Sequence, residues 1–92
     1  MYEVETKVNG KSRDVLVDLA GTVVETEEEV DMDTVPTRAK AALQKRATGG
    51  TISKVEKVTA GKAISYEGTS KTKTGKTVEY AVTADGKPKK ED

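Results

Sequence analysis

From Tyr2 to Val8 apolar and polar positions alternate without a break, with Tyr2, Val4, Thr6 and Val8 on one phase and Glu3, Glu5 and Lys7 on the other. That period belongs to a strand with one buried face. Asn9-Gly10 follows, a dipeptide suited to a two-residue hairpin because both positions need positive φ. A second strand is predicted from Ser12 to Leu19, with Val15, Val17 and Leu19 inward and Asp14 and Asp18 outward; Leu16, on the outward phase, suggests that this face is partly covered. Ala20-Gly21 turns the chain into a third strand, Thr22 to Val30, whose end becomes acidic. Beyond Gly50, Ile52, Val55 and Val58 are spaced by three, so alternation in a strand from Thr51 to Val58 must fail once, as it does at a bulge. Ala60-Gly61-Lys62 leads into a strand from Ala63 to about Lys73, with Ile64 and Tyr66 inward. After Thr74-Gly75-Lys76, Thr77 to Thr83 alternates cleanly, with Val78, Tyr80 and Val82 on one side. Asp85-Gly86 makes a last tight turn, and the tail KPKKED can add only a short edge strand whose lysines and Pro88 discourage further pairing.

The period changes only between Asp31 and Gly50. There Val35, Ala39, Ala42 and Leu43 recur at i, i+4, i+7 and i+8, one apolar stripe on a helix whose other sides carry Arg38, Lys40, Gln44 and Lys45. Asp33 is placed to cap the helix and Pro36 to sit in its first turn, where no intrahelical donor is lost. Lys45 and Arg46 suit the negative C-terminal end and Gly49-Gly50 a left-handed stop, which gives a helix over 33–48. The flanking strands are the only surface that stripe can cover. The expected architecture is α+β, one helix on a curved antiparallel sheet of six to seven strands.

The pattern also repeats. YEVETKVNGKSRDVLVDLAGTVVETE aligns with YEGTSKTKTGKTVEYAVTADGKPKKE, placing Tyr2 on Tyr66 and, after one inserted residue, Gly10 on Gly75, Val17 on Val82 and Gly21 on Gly86. Two strand-turn-strand-turn-strand units, 2–27 and 66–91, thus flank one helix within a single domain. The second unit is preceded by the helix and the strand from Thr51 to Val58; the first has neither before it. Two such units hold more inward-facing surface than one helix covers, so the sheet either curls around the helix or pairs with another chain.

Composition narrows the function. Among the 92 residues there is no Phe, Trp, Cys or His and only 34% are apolar, so the core must come from Val, Ile, Leu, Ala and three Tyr. At about 1.5–3 kcal/mol per fully buried Val or Leu, that inventory folds one domain with little reserve. Lacking thiolate and imidazole, the chain also lacks most zinc, copper and haem chemistry. Basic and acidic residues balance at 16 each, leaving no global field for nucleic acid, and no run of about 20 apolar residues offers a membrane span. MYEVETKV has none of the features of a signal peptide, yet it opens directly in a strand; Met1 is read as the start of a domain from which a leader has been removed.

No residue set in the sequence performs a reaction, and no enzymatic activity and no cofactor are expected. The densest charge cluster is Glu25, Glu27, Glu28, Glu29, Asp31 and Asp33. Glu27, Glu29, Asp31 and Asp33 are the candidate Ca²⁺ ligands, hard oxygens at a strand-to-helix junction. Against this, the D-x-D-x-D-G spacing of a calcium loop is missing, alternate carboxylates of a strand point to opposite faces, and acids before a helix are expected from its dipole alone. Paired carboxylates without an apolar surround or a nucleophile do not make an acid–base site. Lys62, Lys71, Lys73, Lys76, Lys87, Lys89 and Lys90 make the second half basic, either to steer a charged partner or simply as exposed hairpin residues. Tyr2, Tyr66 and Tyr80 read as packing residues rather than as a stacking platform.

The helix opened by Val35-Pro36, the strand Ile52…Val55-Glu56-Lys57-Val58, Tyr66-Glu67 and Ala84-Asp85-Gly86, the last two echoed by Tyr2-Glu3 and Ala20-Gly21, together resemble the PepSY-like family. Ala20-Gly21 departs from the usual Asp-Gly of that turn. These small extracytoplasmic domains are related to the propeptides of thermolysin-type peptidases and have a fold like that of beta-lactamase inhibitor protein. The resemblance implies a secreted or periplasmic, non-catalytic module that binds or restrains another protein, commonly a peptidase, and it transfers no catalytic residue. The alternative expectation, from another class, is a homodimeric or larger self-assembling module in which incomplete repeats complete one another by strand or helix exchange.

Overall fold

A computed structural model describes residues 1–47 and 50–89. The chain forms a seven-stranded antiparallel sheet in strict sequence order, β1 (Tyr2–Val8), β2 (Lys11–Val17), β3 (Val23–Glu29), β4 (Thr51–Ala60), β5 (Ala63–Lys71), β6 (Thr77–Thr83) and β7 (Pro88–Lys89). One helix, α1 (Thr37–Arg46), and a 3-10 turn (Met32–Thr34) join β3 to β4. The fold is therefore α+β, a meander interrupted once by a helix that packs back on β5 and β6.

The turns follow their local chemistry. Asn9 and Gly10 take φ of 53° and 81°, the pair of positive values a twisted two-residue hairpin requires. At the next turn Asp18 Oδ1 accepts hydrogen bonds from the amides of Ala20 and Thr22, both at 2.9 Å. The expected bulge lies between Ile52 and Lys54, where the register with β5 shifts. Its effect is to put Ile52 and Val55 on one face and Val58 on the other. Of the three regularly spaced apolar residues only Ile52 and Val55 join the helix-side core.

The helix is shorter than predicted, and it begins differently. Asp33 lies in the 3-10 turn and caps nothing, while Pro36 occupies the N-cap position of α1. Proline disfavours helical dihedrals in the residue before it, and Val35 is extended at φ −80°, ψ 135°, so the segment splits into a turn and a helix. Residue 48 and the Gly49 stop lie outside the described residues, as do residues 90–92, the first two of which end the second unit. Of the predicted stripe, Val35, Ala39 and Leu43 are buried against Val55, Tyr66, Tyr80 and Val82 and Ala42 is partly buried, while Ala47, which the stripe did not include, joins the core. Tyr80 donates its hydroxyl to the Leu43 carbonyl at 3.2 Å, and the Arg46 guanidinium lies 5.5 Å from the centre of the Tyr80 ring.

Several inward expectations fail: Ile64 and Val78, at opposite ends of the strands that α1 crosses, are 41% and 39% exposed, and two residues of the first unit are more so. Leu19 lies beyond the end of β2 and is 82% exposed, and Tyr2, although on the helix-side face, is 63% exposed. α1 covers β5 and β6; no described residue covers β1 and β2.

Candidate interaction surface

The two faces of the sheet differ in chemistry. On the side away from α1, cross-strand pairing builds a row Glu5–Asp14–Glu27 over β1, β2 and β3 and a row Glu29–Glu56–Glu67 over β3, β4 and β5. Like charges directly opposite one another destabilise a sheet. Asp14, Glu27 and Glu56 bring one carboxylate oxygen each within 4.8 Å of one another. Burial, then Glu56, Glu25, Asp14 and Glu3, pushes the Glu27 carboxyl above its ordinary value. Slight desolvation at the sheet surface, then Asp14 and Glu5, raises the exposed Glu3 as well. Lys54 Nζ offsets part of this charge, 3.6 Å from Glu56 Oε2.

The candidate calcium ligands are dispersed. Glu27 belongs to the converging trio, Glu29 accepts the Ser12 amide at 3.3 Å, and Asp31 pairs with Lys11 at 2.6 Å, the hydrogen bond that leads in raising the lysine's pKa. Asp33 is exposed in the 3-10 turn. The three carboxylates that do converge are hard oxygen donors able to take a divalent cation, but two of them, Asp14 and Glu56, come from strands flanking the acidic run. Their outward phase in β2 and β4 was the available signal; linear proximity pointed to Asp31 and Asp33 instead.

The pH dependence follows from Glu27. Its folded-state pKa is raised, so the folded chain holds that proton more tightly than the unfolded chain, and the resulting stability is present at acid pH and lost as pH rises through the raised pKa. Glu27→Gln is expected to raise the melting midpoint at pH 7 by about 1–5 °C, the size of one relieved like-charge pair in a domain this small. The gain should vanish near pH 4. Thermal melts in EDTA at both pH values check this; equal midpoints at pH 7 would show that the row carries no net repulsion.

The helix-side face of β1–β3 is apolar and open. Tyr2, Val4 and Val23 are 63%, 48% and 57% exposed, Val15 and Val17 half-buried, and the patch is bounded by Thr6, Arg13 and Glu28. Tyr2 lies opposite Val17 and Val4 opposite Val15, so these side chains form one continuous patch. Beside it runs the outer edge of β1, seven residues long and exposed throughout. The other edge, β7, has two residues among those described, and Pro88 sits between Lys87 and Lys89. One edge is thus blunted and the other is open.

Similar folds occur in solved structures. A DUF2874 family protein from Bacteroides uniformis superposes with a TM-score of 0.84 at 19% identity, covering 97% of this chain and 67% of that one. A BLIP-like protein from Bacteroides fragilis gives 0.77 at 17% identity, over 99% and 66% of the two chains, and a DUF2874 family protein from Bacteroides ovatus gives 0.79 at 17%, over 97% and 66%. The chain spans about two thirds of the length of each. No protein-family model and no curated protein matches the sequence. The likeness is one of fold, shared with BLIP-like and DUF2874 structures.

Proposed function

We propose that this chain is a non-catalytic protein-binding module that acts outside the cytoplasm and restrains a secreted enzyme, a peptidase by first choice. The observation that carries the reading is the open β1 edge beside an apolar face. Alternate residues of this exposed seven-residue strand direct main-chain donors and acceptors away from β2, with no proline or bulge to block them, and an extended segment of a partner adds to such an edge by main-chain hydrogen bonding. Alternate side chains Tyr2, Val4 and Val8 would supply specificity. The PepSY-like motifs favour a peptidase as partner, and the BLIP-like neighbour favours an inhibitory role. No helix among the described residues is long and apolar enough to cross a membrane.

The same edge favours one other reading, a homodimer joined through β1 of two copies. Light scattering over a concentration series separates the two, with a concentration-independent monomer expected. Binding to a panel of extracellular peptidases is then compared between the parent chain and a Tyr2→Lys, Val4→Lys variant. Both substitutions fall on exposed positions, so the variant should fold as the parent does. It is expected to bind at least about tenfold more weakly, a loss of the size that removing an interface anchor produces. Equal binding would move the interface away from β1, and a parent that binds no peptidase would retire that class of partner.

A further inference from the structure

The glycine turns of the sheet are not built alike. At Gly21, Gly75 and Gly86 the glycine amide donates to the carbonyl three residues back, that of Asp18, Thr72 and Thr83, at 3.0, 2.9 and 2.9 Å. In each, the side chain of that same residue also accepts an amide just beyond the glycine, Asp18 Oδ1 from Thr22, Thr72 Oγ1 from Lys76 and Thr83 Oγ1 from Lys87. Asn9-Gly10 has neither bond. The last ladder pair is Val8 with Lys11, and the residues between them turn the chain with φ of 53° and 81°. Neither the Gly10 amide nor the Asn9 carboxamide has a hydrogen-bond partner among the described residues. Both residues are exposed, and nothing lies within 4 Å of where a Cβ at Gly10 would stand. A free main-chain nitrogen thus sits next in sequence to a free carboxamide.

We propose that Asn9 is a site of self-modification: the Gly10 nitrogen displaces the Asn9 carboxamide as ammonia, and water opens the resulting ring to leave aspartate or isoaspartate in the β1–β2 turn. The proposal stands independently of the protein-binding reading. The Gly10 nitrogen gives up its proton and attacks Asn9 Cγ. The bond from Cγ to Nδ2 breaks, and the departing nitrogen takes up that proton and leaves as ammonia. The product is a cyclic succinimide, to which water adds at either carbonyl carbon. Cleavage at Cγ restores the ordinary main chain with aspartate at position 9. Cleavage at the α-carbonyl leaves a main chain that runs through Cβ and Cγ, one carbon longer, with a free α-carboxylate. Glycine as the attacking residue has no side chain to hinder the approach, and at Gly10 the amide gives up no hydrogen bond before it reacts.

The acid products differ in effect. Aspartate suits the positive φ of this turn as asparagine does, whereas the extra main-chain carbon of isoaspartate alters the turn that sets the register of β1 on β2. The chain also holds a matched turn for the test. Asp85-Gly86-Lys87 differs from Asn9-Gly10-Lys11 only at its first residue, yet its glycine amide is tied to Thr83, and a Cβ at Gly86 would stand 2.5 Å from the Arg38 carbonyl oxygen. The folded Asp85→Asn variant is incubated at mildly alkaline pH and mapped by peptide mass spectrometry. Acid products are expected at least about tenfold faster at residue 9 than at residue 85, where two turn hydrogen bonds must first be given up. In urea the two rates should converge, because there the dipeptide alone sets them. The amides of Tyr2–Val8 should exchange about tenfold faster in the isoaspartate form than in the parent, and Asn9→Asp should leave them nearly unmoved. Equal rates in the folded variant overturn the proposal, as does a folded chain in which residue 9 stays intact while it reacts in urea. An isoaspartate form whose β1 exchanges as the parent's does overturns the effect assigned to the longer turn.

Discussion

Leu43→Ala should remove about 2–5 kcal/mol of stability, the cost of deleting a buried leucine and leaving a cavity behind. Few single substitutions in the chain should cost more. Leu43 is fully buried, and its companions on the helix stripe are Val35 and two alanines, so it carries most of the large apolar surface by which α1 holds the sheet. Its side chain lies over Gly68, where the backbone of β5 has no Cβ to push it away. Its carbonyl accepts the buried hydroxyl of Tyr80, so a shifted helix would also leave that hydroxyl unpaired, a further loss of about 1 kcal/mol. A domain of this size has only about 5–15 kcal/mol in total, and each kilocalorie shifts the midpoint by about 4–8 °C. The drop should exceed about 10 °C on that scale and be accompanied by faster exchange in α1, whereas Leu43→Met, which conserves volume, should cost under about 1.5 kcal/mol. Urea titrations of both variants decide it. A loss below about 1 kcal/mol for alanine would mean that the helix is held elsewhere.

Much of this architecture is legible along the chain because period 2 and period 3.6 are written in the residues that face the core. Strand positions from Tyr2 to Thr83, the break in alternation near Ile52 and the stripe from Val35 to Leu43 all follow from which residues must leave water. The misreadings have physical causes of two kinds. At Pro36 a local steric rule acting on Val35 outweighed the helical period, and the capping role assigned to Asp33 went with it. At Tyr2 and Leu19 the alternation identified a face or its continuation without saying whether anything lies on it. Pattern specifies a phase; burial is a property of the neighbour. The same limit applies to the acidic cluster, since Asp14, Glu27 and Glu56 meet only because β2, β3 and β4 are adjacent in the sheet. A run of glutamates shows charge density, and pairing decides which of those charges repel.

Gly86→Ala and Gly21→Ala form a matched pair that measures how much the helix contributes at equivalent turns. Both glycines take nearly the same left-handed conformation, φ 84° and 85°, and both donate their amide to the residue three positions back, Thr83 and Asp18. Alanine in that conformation costs about 1–2 kcal/mol at either site. The surroundings differ. A Cβ at Gly86 would stand 2.5 Å from the carbonyl oxygen of Arg38 and 2.9 Å from its carbon, whereas at Gly21 nothing lies within 4 Å. Arg38 is in the first turn of α1, so relief of the clash requires the helix or the β6–β7 turn to shift, and overpacking of this kind adds about 1–3 kcal/mol. Gly86→Ala should therefore cost about 2–5 kcal/mol and Gly21→Ala about 1–2, by urea unfolding under identical conditions. Equal losses would show that α1 does not bear on the turn.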